Sequence, residues 1–202
     1  MPESRYGSES SRYCYAGTNV LINHYDIMDD KQLASMEALV TTRRLSELQE
    51  RPLEGDFDLR HLQRIHAYLF KDLYPFAGEI RTENIVKDGF SFAQARFVHL
   101  ASKPLFQQLM IEDWEHMDQK MLAGKLTYYM AEINVLHPFR EGNGRSLREF
   151  IRCIAIEAGY ILDWAVVPKE RVFEVSIESV RHSGELYKVI YQSLSPKKDS
   201  SS

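Results

Sequence analysis

The residues best suited to chemistry lie in one stretch, LHPFREGNGRSLREF, from Leu136 to Phe150. Its histidine, His137, comes directly before Pro138, and a residue that precedes proline disfavours helical geometry. The helix before this stretch is therefore predicted to end at His137. An imidazole at the mouth of the loop that follows could accept a proton from a substrate.

The glycines of this stretch favour an anion-binding loop. Gly142 and Gly144 permit backbone conformations that other residues resist, and successive amide N–H groups in such a loop can converge on an anion. A helix is predicted to begin within a residue or two, so its first N–H groups and partial positive charge point the same way. Arg145 and Arg148 share one face of that helix, where their guanidinium groups could hold phosphate oxygens. The pattern is typical of a phosphate cradle.

Glu141 is the acid of this loop, and Phe139 is predicted to be a core anchor for it. A carboxylate beside a bound polyphosphate would be repelled unless a divalent cation such as Mg²⁺ lay between them. Each feature alone has an ordinary structural explanation: a helix-end histidine, turn glycines, or a solvated salt-bridge network of Glu141 with the arginines. Their concentration between two apolar helices favours the functional interpretation.

Apolar periodicity predicts a mainly helical chain around this stretch. The segment EIRTENIVKDGFSFAQ contains an Asp-Gly turn and predicts a β-hairpin, the one β element that we expect. The predicted helices run from Asp30, a possible cap, to about Leu48; from Asp58 through Leu69; from about Phe97 to Met117 with Pro104 inside; over Leu126–Leu136 and Leu147–Ala158; from Pro168 through Phe173, Ile177 and Val180 toward Gly184; and over Leu186–Leu194.

Composition limits the classes of protein that this chain can belong to. With 202 residues and 44% hydrophobic content the chain can bury one core, and we expect a domain at 13–194 between a flexible segment at 1–12 and a disordered tail at 195–202. A net charge of −4 predicts neither a nucleic-acid nor a membrane partner. Two cysteines without a disulfide or metal pattern favour a reducing cytoplasm.

Three segments carry a resemblance to a known family. HPFREGNGR followed by SLR resembles the Fic-family signature H-x-F-x-(D/E)-G-N-G-R-x-x-R at every specified position from His137 to Arg148. IHAYLFKDLYPFAGEIR resembles the helix and turn that precede the Fic flap. YCYAGTNVLINHYDI resembles the start of stand-alone bacterial Fic toxins and of Fic domains in secreted effectors. The resemblance implies a Fic-type helical bundle with one short β-hairpin flap over the active site.

The family resemblance implies a protein adenylyltransferase, which transfers AMP from ATP to a Tyr, Ser or Thr hydroxyl of a target protein and releases pyrophosphate. It implies His137 as the general base, which its ordinary pKa of about 6.5 leaves substantially neutral at pH 7. It implies Glu141 as the residue that holds Mg²⁺. The implied phosphate-binding residues are Gly142, Asn143, Gly144, Arg145 and Arg148.

The predicted hairpin corresponds to the family's flap, which registers a target protein by strand addition beside the active site. The resemblance places Lys87 and Asp88 near the nucleotide and makes Phe92 a candidate clamp for the target. Phe90 and Phe92 could instead be core residues of the hairpin. The expected target-docking residues are Ile85, Val86, Phe90, Ser91 and Phe92.

Many Fic proteins are restrained by an inhibitory helix with the pattern (S/T)-x-x-x-E-(G/N), whose glutamate pairs with the second motif arginine, here Arg148. The sequence contains no match: Glu54-Gly55 and Glu83-Asn84 fit the second half, but Glu50 and Glu79 stand where Ser or Thr is needed. We therefore expect a separate small antitoxin that carries this helix. The expected setting is the bacterial cytoplasm or, for an effector, a host cell.

Other functions remain open from sequence alone. A Fic-fold transferase could use another donor, such as UMP, phosphocholine or phosphate, although Gly142 and Gly144 are kept where a phosphorylating relative departs. A catalytically silent binding module is a second alternative, against which the intact motif argues. A metal-dependent phosphohydrolase is a third, but it needs about three protein ligands. His61, His66 and His99 are interpreted as surface or core polar residues.

Overall fold

The computed structural model describes residues 11–87 and 89–197. Helices dominate, which confirms the mainly helical prediction. The α-helices are α1 (Asp30–Glu50), α2 (Leu59–Phe70), α3 (Val98–Met110), α4 (Gln119–Leu136), α5 (Asn143–Glu157), α6 (Lys169–Glu178) and α7 (Gly184–Ser193). Short 3₁₀ turns lie at Ala95–Phe97 and Trp164–Val166. Within the described residues, no helix combines the length and the apolar character needed to cross a bilayer.

Aspartates begin several of these helices, as the residue pattern leads one to expect. The Asp58 carboxylate accepts from the His61 N–H at 2.7 Å and so caps α2 as predicted. The cap of α1 is Asp29, which accepts from the Gln32 N–H at 2.8 Å, and the prediction of Asp30 was one residue late.

The helices α4 and α5 form the centre of the molecule, packed against each other and against α2 and α7. Apolar side chains on both are fully buried, among them Tyr129, Ile133, Phe150 and Ile154. Burying a side chain of this size contributes roughly 1.5–3 kcal/mol. The polar stretch that joins α4 to α5 is thus held between the two best-anchored helices of the fold.

Two small antiparallel sheets complete the fold. In the predicted hairpin, β1 (Val86–Lys87) pairs with β2 (Phe90–Ser91) around Gly89, whose φ of +73° suits glycine. The second sheet pairs β3 (Tyr160–Leu162) with β4 (Leu194–Pro196), so the prediction of a single β element was wrong. These strands lie far apart in the chain, and no local turn signal announces such a pairing.

The predicted boundaries at the two ends of the domain need correction. Ser195 and Pro196 belong to β4, which contradicts a disordered tail from 195, and 198–202 lie outside the described residues. Ser11 Oγ and the Arg12 N–H each donate to the Glu83 carboxylate at 2.7 Å, so a flexible segment does not extend through residue 12. Residues 1–10 are not described.

The predicted helix from Phe97 to Met117 is shorter in the structure, since α3 ends at Met110. Beyond it, the Glu112 carboxylate accepts from Lys125 and Tyr129 on α4, both at 2.6 Å. Trp114 is buried as well. After α3 the chain therefore packs against α4 without continuing as a helix. Apolar periodicity along the chain could not reveal these contacts with α4.

Candidate functional site

The proton acceptor predicted at the end of α4 lies where the chain leaves the helix. The His137 N–H donates to the Ile133 carbonyl at 3.0 Å, and His137 itself has φ 46° and ψ 62°. This left-handed conformation is uncommon for a residue other than glycine. It directs the chain out of α4 and into residues 137–142, which we call the motif loop.

The His137 imidazole is partly enclosed, and its Nδ1 is shielded from solvent. The Phe92 ring stacks on it with 3.8 Å between ring centroids and 23° between planes. Burial lowers the pKa of His137 to about 4, although Glu141 favours the protonated ring. None of the described residues gives its Nδ1 a hydrogen bond of ordinary geometry, while the backbone of Asn134 lies close enough to raise the pKa slightly. The ring is therefore neutral at pH 7, more completely than the ordinary pKa of about 6.5 implied.

Asn143, expected among the nucleotide ligands, uses its side chain to close the motif loop. Its Oδ1 accepts from the Phe139 N–H at 2.9 Å, and its Nδ2 donates to the Phe139 carbonyl at 2.7 Å. Phe139 is buried in the core, where an anchor was predicted. Only the backbone of Asn143 is left to meet a ligand.

His66 braces the other side of the motif loop. Its ring stacks on Phe139 with centroids 3.9 Å apart. Its Nδ1 accepts from the Gly78 N–H at 2.7 Å, so the proton resides on Nε2, which donates to the Glu141 carbonyl at 2.9 Å. Burial lowers the pKa of His66 to about 4, which keeps this tautomer neutral. His66 was interpreted from sequence as an ordinary polar residue, and its bracing role was missed because Gly78 and Glu141 are distant in the chain.

Close packing requires glycine at position 142 and leaves little room for a side chain at position 144. A Cβ on Gly142, whose φ is +75°, would lie 2.3 Å from the Phe70 ring. A Cβ on Gly144 would lie 3.2 Å from Nη1 of Arg148. The first turn of α5 carries no side-chain cap and no acidic residue. Its first N–H groups lack intrahelical acceptors, so this end of α5 is suited to an anion.

The two motif arginines have different surroundings. Arg145 Nη2 contacts the Glu37 carboxylate of α1 at 2.6 Å, and its Nη1 donates to Thr41 Oγ1 at 3.3 Å. The guanidinium of Arg148 has no hydrogen bond or ion pair within 11–87 and 89–197. Burial, and secondly the charge of Arg145, lower the pKa of Arg148 to about 10, so it is still a cation at pH 7. Arg148 is the partly buried charge that an anionic ligand would neutralise.

Glu141 lies between these groups. Its Oε1 accepts from the Gly142 N–H at 2.9 Å and is 3.7 Å from Arg145. In the described part of the chain, no cluster of three or more His, Cys, Asp or Glu side chains could hold a metal ion. One carboxylate does fit Mg²⁺ when substrate phosphates and water supply the other ligands. The donor set thus suits a cation shared with a polyphosphate.

A cleft of about 670 Å³ collects these residues beneath the hairpin. One wall of the cleft comes from α6 and the residues after it, and the sequence did not indicate that these residues belong to the site. They are Phe173, Ser176, Ile177, Val180, Arg181 and His182. Phe173 and Ile177 are 53% and 44% exposed. Helical periodicity marks an apolar face, but it cannot tell a face that lines a cleft from one that packs in the core.

The hairpin also borders this cleft, and Lys87 Nζ lies 5.4 Å from the centroid of the Phe173 ring. Lys87, Phe90 and Phe92 line it, while Val86 and Ser91 are exposed to solvent. Ile85 is only 2% exposed, so its side chain anchors the hairpin, and its expected part in target docking stays a prediction about the main chain. Asp88, predicted near the nucleotide, lies outside the described residues.

A neutral histidine, an uncapped helix start and a partly buried arginine that has no ion pair among the described residues thus line one cleft suited to an anion, in a mainly helical protein. The model of the Fic/DOC family matches residues 56–155. The protein adenylyltransferase VbhT of Bartonella schoenbuchensis is 38% identical over 90% of this chain, which spans only 38% of the length of VbhT. The protein y4lH of Sinorhizobium fredii, named as a probable protein adenylyltransferase, is 32% identical over 90% of this chain and 93% of its own length.

Solved structures agree with this relationship. The N-terminal Fic domain of a VirB-translocated Bep effector protein from Bartonella quintana, with bound ADP, has a TM-score of 0.87 at 25% identity, over 92% of this chain and 95% of its own. BepC from Bartonella tribocorum, with bound AMPPNP, has a TM-score of 0.86 at 24% identity, over 92% of this chain and 97% of its own, and shows the same fold. The chain belongs to the Fic/DOC family.

Proposed function

We propose that this chain is a protein adenylyltransferase that transfers AMP from ATP to a hydroxyl group of a target protein. The observation that carries the proposal is the cleft itself, which neutral His137 shares with an uncapped helix start and with Arg148, a cation that has no ion pair in the part of the chain that the structure describes. The relatives VbhT and y4lH are both named for this activity. The first relative is much longer than this chain, whereas the second is of nearly the same length.

The phosphates of ATP are expected at the start of α5. The amides of residues 143–145 and the guanidinium of Arg148 would donate to phosphate oxygens, and the positive end of the helix would add to their attraction. The apolar wall of Phe173 and Ile177 offers a flat surface to the base and sugar, because both side chains line the same cleft. The cleft thus has a charged end and an apolar end, which match the phosphates and the base of a nucleotide.

Glu141 would hold Mg²⁺ against these phosphates. A divalent cation would offset the negative charge of the leaving pyrophosphate. The carboxylate is already oriented by the Gly142 N–H and by the backbone of its own residue, which His66 holds. The protein therefore presents one preplaced oxygen ligand.

His137 would act as the general base. The target hydroxyl oxygen forms a bond to the α-phosphorus, the bond from that phosphorus to the bridging oxygen of pyrophosphate breaks, and the hydroxyl proton moves to the neutral imidazole. A bound polyphosphate would raise the pKa of His137 above its value of about 4 in the free protein, because nearby negative charge favours the imidazolium. The ligand thus makes the base stronger when it is needed.

A target segment would dock on the hairpin by strand addition. Because the Phe92 N–H donates to the Ile85 carbonyl at 3.2 Å, these residues form a hydrogen-bonded pair, and Val86 and Ser91 form the next, non-hydrogen-bonded pair. The main-chain groups of Val86 and Ser91 then point away from the hairpin. Each outer edge can offer one N–H and one C=O to an added strand.

Inhibition would come from a separate antitoxin with the (S/T)-x-x-x-E-(G/N) helix. Arg148 supports this part of the proposal, since a partner's glutamate could neutralise it and thereby occupy a phosphate position. The setting would be the bacterial cytoplasm, or a host cell if the protein is translocated, as the Bartonella effector relatives are described to be.

The test uses ATP labelled at the α-phosphate or, in parallel, at the γ-phosphate, with purified protein, Mg²⁺ and cell lysate. Label should reach a protein only from the α-position, and His137→Ala should reduce labelling by about 10²–10⁴-fold. His99→Ala, an exposed histidine on α3, is the matched control and should behave like the wild type. Transfer of the γ-label, or full labelling by His137→Ala, would contradict the proposal.

A further inference from the structure

Arg81 is a buried arginine at the base of the hairpin that the motif does not include. Its side chain is 2% exposed. Among the described residues it forms no ion pair with a carboxylate. Burial lowers its pKa to about 10, so it remains charged at pH 7. A buried charge of this kind is costly unless its donors are satisfied, and here every partner is a main-chain carbonyl.

One side of the Arg81 guanidinium holds the end of α4. Its Nε donates to the His137 carbonyl at 2.7 Å, and its Nη2 donates to the Leu136 carbonyl at 3.2 Å. The Arg81 backbone N–H also donates to the Pro138 carbonyl at 2.9 Å. These carbonyls lie at the negative end of the helix, where a cation is stabilising. Three bonds thus fix the peptide groups on both sides of the left-handed His137.

The other side of the same guanidinium holds both ends of the hairpin. Nη1 donates to the Glu83 carbonyl at 2.6 Å, before β1, and Nη2 also donates to the Ala93 carbonyl, after β2. The Ala93 N–H in turn donates to the Val135 carbonyl of α4 at 3.1 Å. The hairpin therefore has both of its ends attached to the helix that carries His137.

We propose that Arg81 is a positioning residue that sets the distance and angle between the hairpin and His137. The inference rests on the proposed function, in which the hairpin registers the target hydroxyl and His137 accepts its proton. Each half of that arrangement is presented by a different segment, and one guanidinium connects them. A displacement of about 1 Å between reacting groups can reduce a rate by about 100-fold.

The kinetic test compares Arg81→Lys with the wild type. Lysine keeps the charge but cannot place donors on four carbonyls at once, because it lacks the planar guanidinium fork. We expect kcat for transfer to a protein target to fall about 10–100-fold, while the affinity for ATP changes less than about twofold. An equal loss of ATP affinity, or an unchanged kcat, would overturn the proposal.

Arg152→Lys is the matched control. Arg152 is another largely buried arginine, which donates to the Leu48 carbonyl at 2.8 Å and to Glu149, away from the hairpin. It should lose stability without a selective fall in kcat, and a fall equal to that of Arg81→Lys would show a general folding effect and overturn the inference. If Arg81→Lys does not fold, Arg81→Gln, which keeps two donors without a charge, takes its place under the same criteria.

Hydrogen exchange of the wild-type protein tests the same link without any variant or any activity. If Arg81 joins hairpin and helix end into one unit, the amides of Ala93 and His137 should open together, with protection within about threefold. Protection of Ala93 that is lower by more than about tenfold would overturn the proposal. Because this measurement needs no transfer reaction, its outcome is independent of whether the proposed function is correct.

Discussion

The motif loop and the hairpin both line the cleft and touch where Phe92 stacks on His137, but they are held in different ways. The motif loop is braced from inside, by both amide atoms of Asn143 and by the ring of His66. The hairpin has two residue pairs in its ladder and exposed edges at Val86 and Ser91. This difference indicates that the proposed base and phosphate-binding residues are preorganised, whereas the hairpin, which we propose meets a protein target, can adapt.

The energies of the hydrogen bonds also indicate that the motif loop is held more firmly than the hairpin. Removing one partner of a buried hydrogen bond costs about 1–3 kcal/mol, and Asn143 alone satisfies both backbone groups of Phe139. A two-stranded hairpin, in contrast, is marginally stable in water by itself. The hairpin depends on its buried anchor Ile85 and on Arg81 for its place.

The largest effect that we expect is a loss of folding stability at acidic pH, which arises from the histidines in and beside the motif loop. His66 and His137 have pKa values of about 4 in the folded protein against about 6.5 when unfolded, so the unfolded chain binds more protons between these values. The stability is fully present above pH 6.5 and is lost as the pH falls toward 4. At pH 5, each histidine should lower the free energy of unfolding by about 2 kcal/mol relative to its value above pH 6.5.

Urea unfolding at pH 7.5, 6 and 5 measures this loss. His66→Gln is the informative variant, since its amide can accept from Gly78 and donate to Glu141 without titrating. It should show a shallower decline than the wild type over the same range. Equal slopes for the two proteins would contradict the assignment of His66 as a brace that must stay neutral.

The next largest effects are expected for substitutions of the two motif arginines, Arg145 and Arg148. Arg148→Gln should weaken ATP–Mg²⁺ binding about 10–100-fold, because charge-assisted hydrogen bonds contribute roughly 1.5–3 kcal/mol. It should leave the melting temperature unchanged or higher, since it removes a partly buried cation that has no ion pair within the described chain. Arg145→Gln should instead lower the melting temperature, because the Glu37 carboxylate loses its 2.6 Å partner.

Calorimetric titration with ATP and thermal unfolding of both variants separate these roles. The matched pair shares the substitution and the helix, so only the surroundings of the side chain differ. If both variants lost stability to the same extent, the view of Arg148 as a charge held ready for a ligand would be wrong.

The smallest effect is expected at the hairpin edges. Val86→Pro and Ser91→Pro each remove one outward N–H from a different edge without removing a bond inside the ladder. One of them should raise the KM for the target protein roughly tenfold, with ATP affinity unchanged, and the other serves as its control. Normal KM values for both variants would argue against strand addition at this hairpin.

Local features of the sequence determined much of this protein. The end of α4 at His137 follows from the proline after it, the start of α5 from Gly142, and the hairpin turn from Asp-Gly, because each depends on backbone preferences of adjacent residues. The motif spacing likewise places His137, Glu141 and the two arginines on one loop and the start of one helix. These parts of the site could be predicted since they lie within a few residues of one another.

Only the tertiary structure decided which of these side chains already have hydrogen-bond or ion-pair partners within the protein. Nothing near Arg145 in the chain predicts its pairing with Glu37, and nothing near Arg81 predicts its bonds to the end of α4. The α6 wall and the β3–β4 sheet are also contacts between distant segments. Such contacts depend on how helices pack in three dimensions, and a single sequence carries no local signal for that packing.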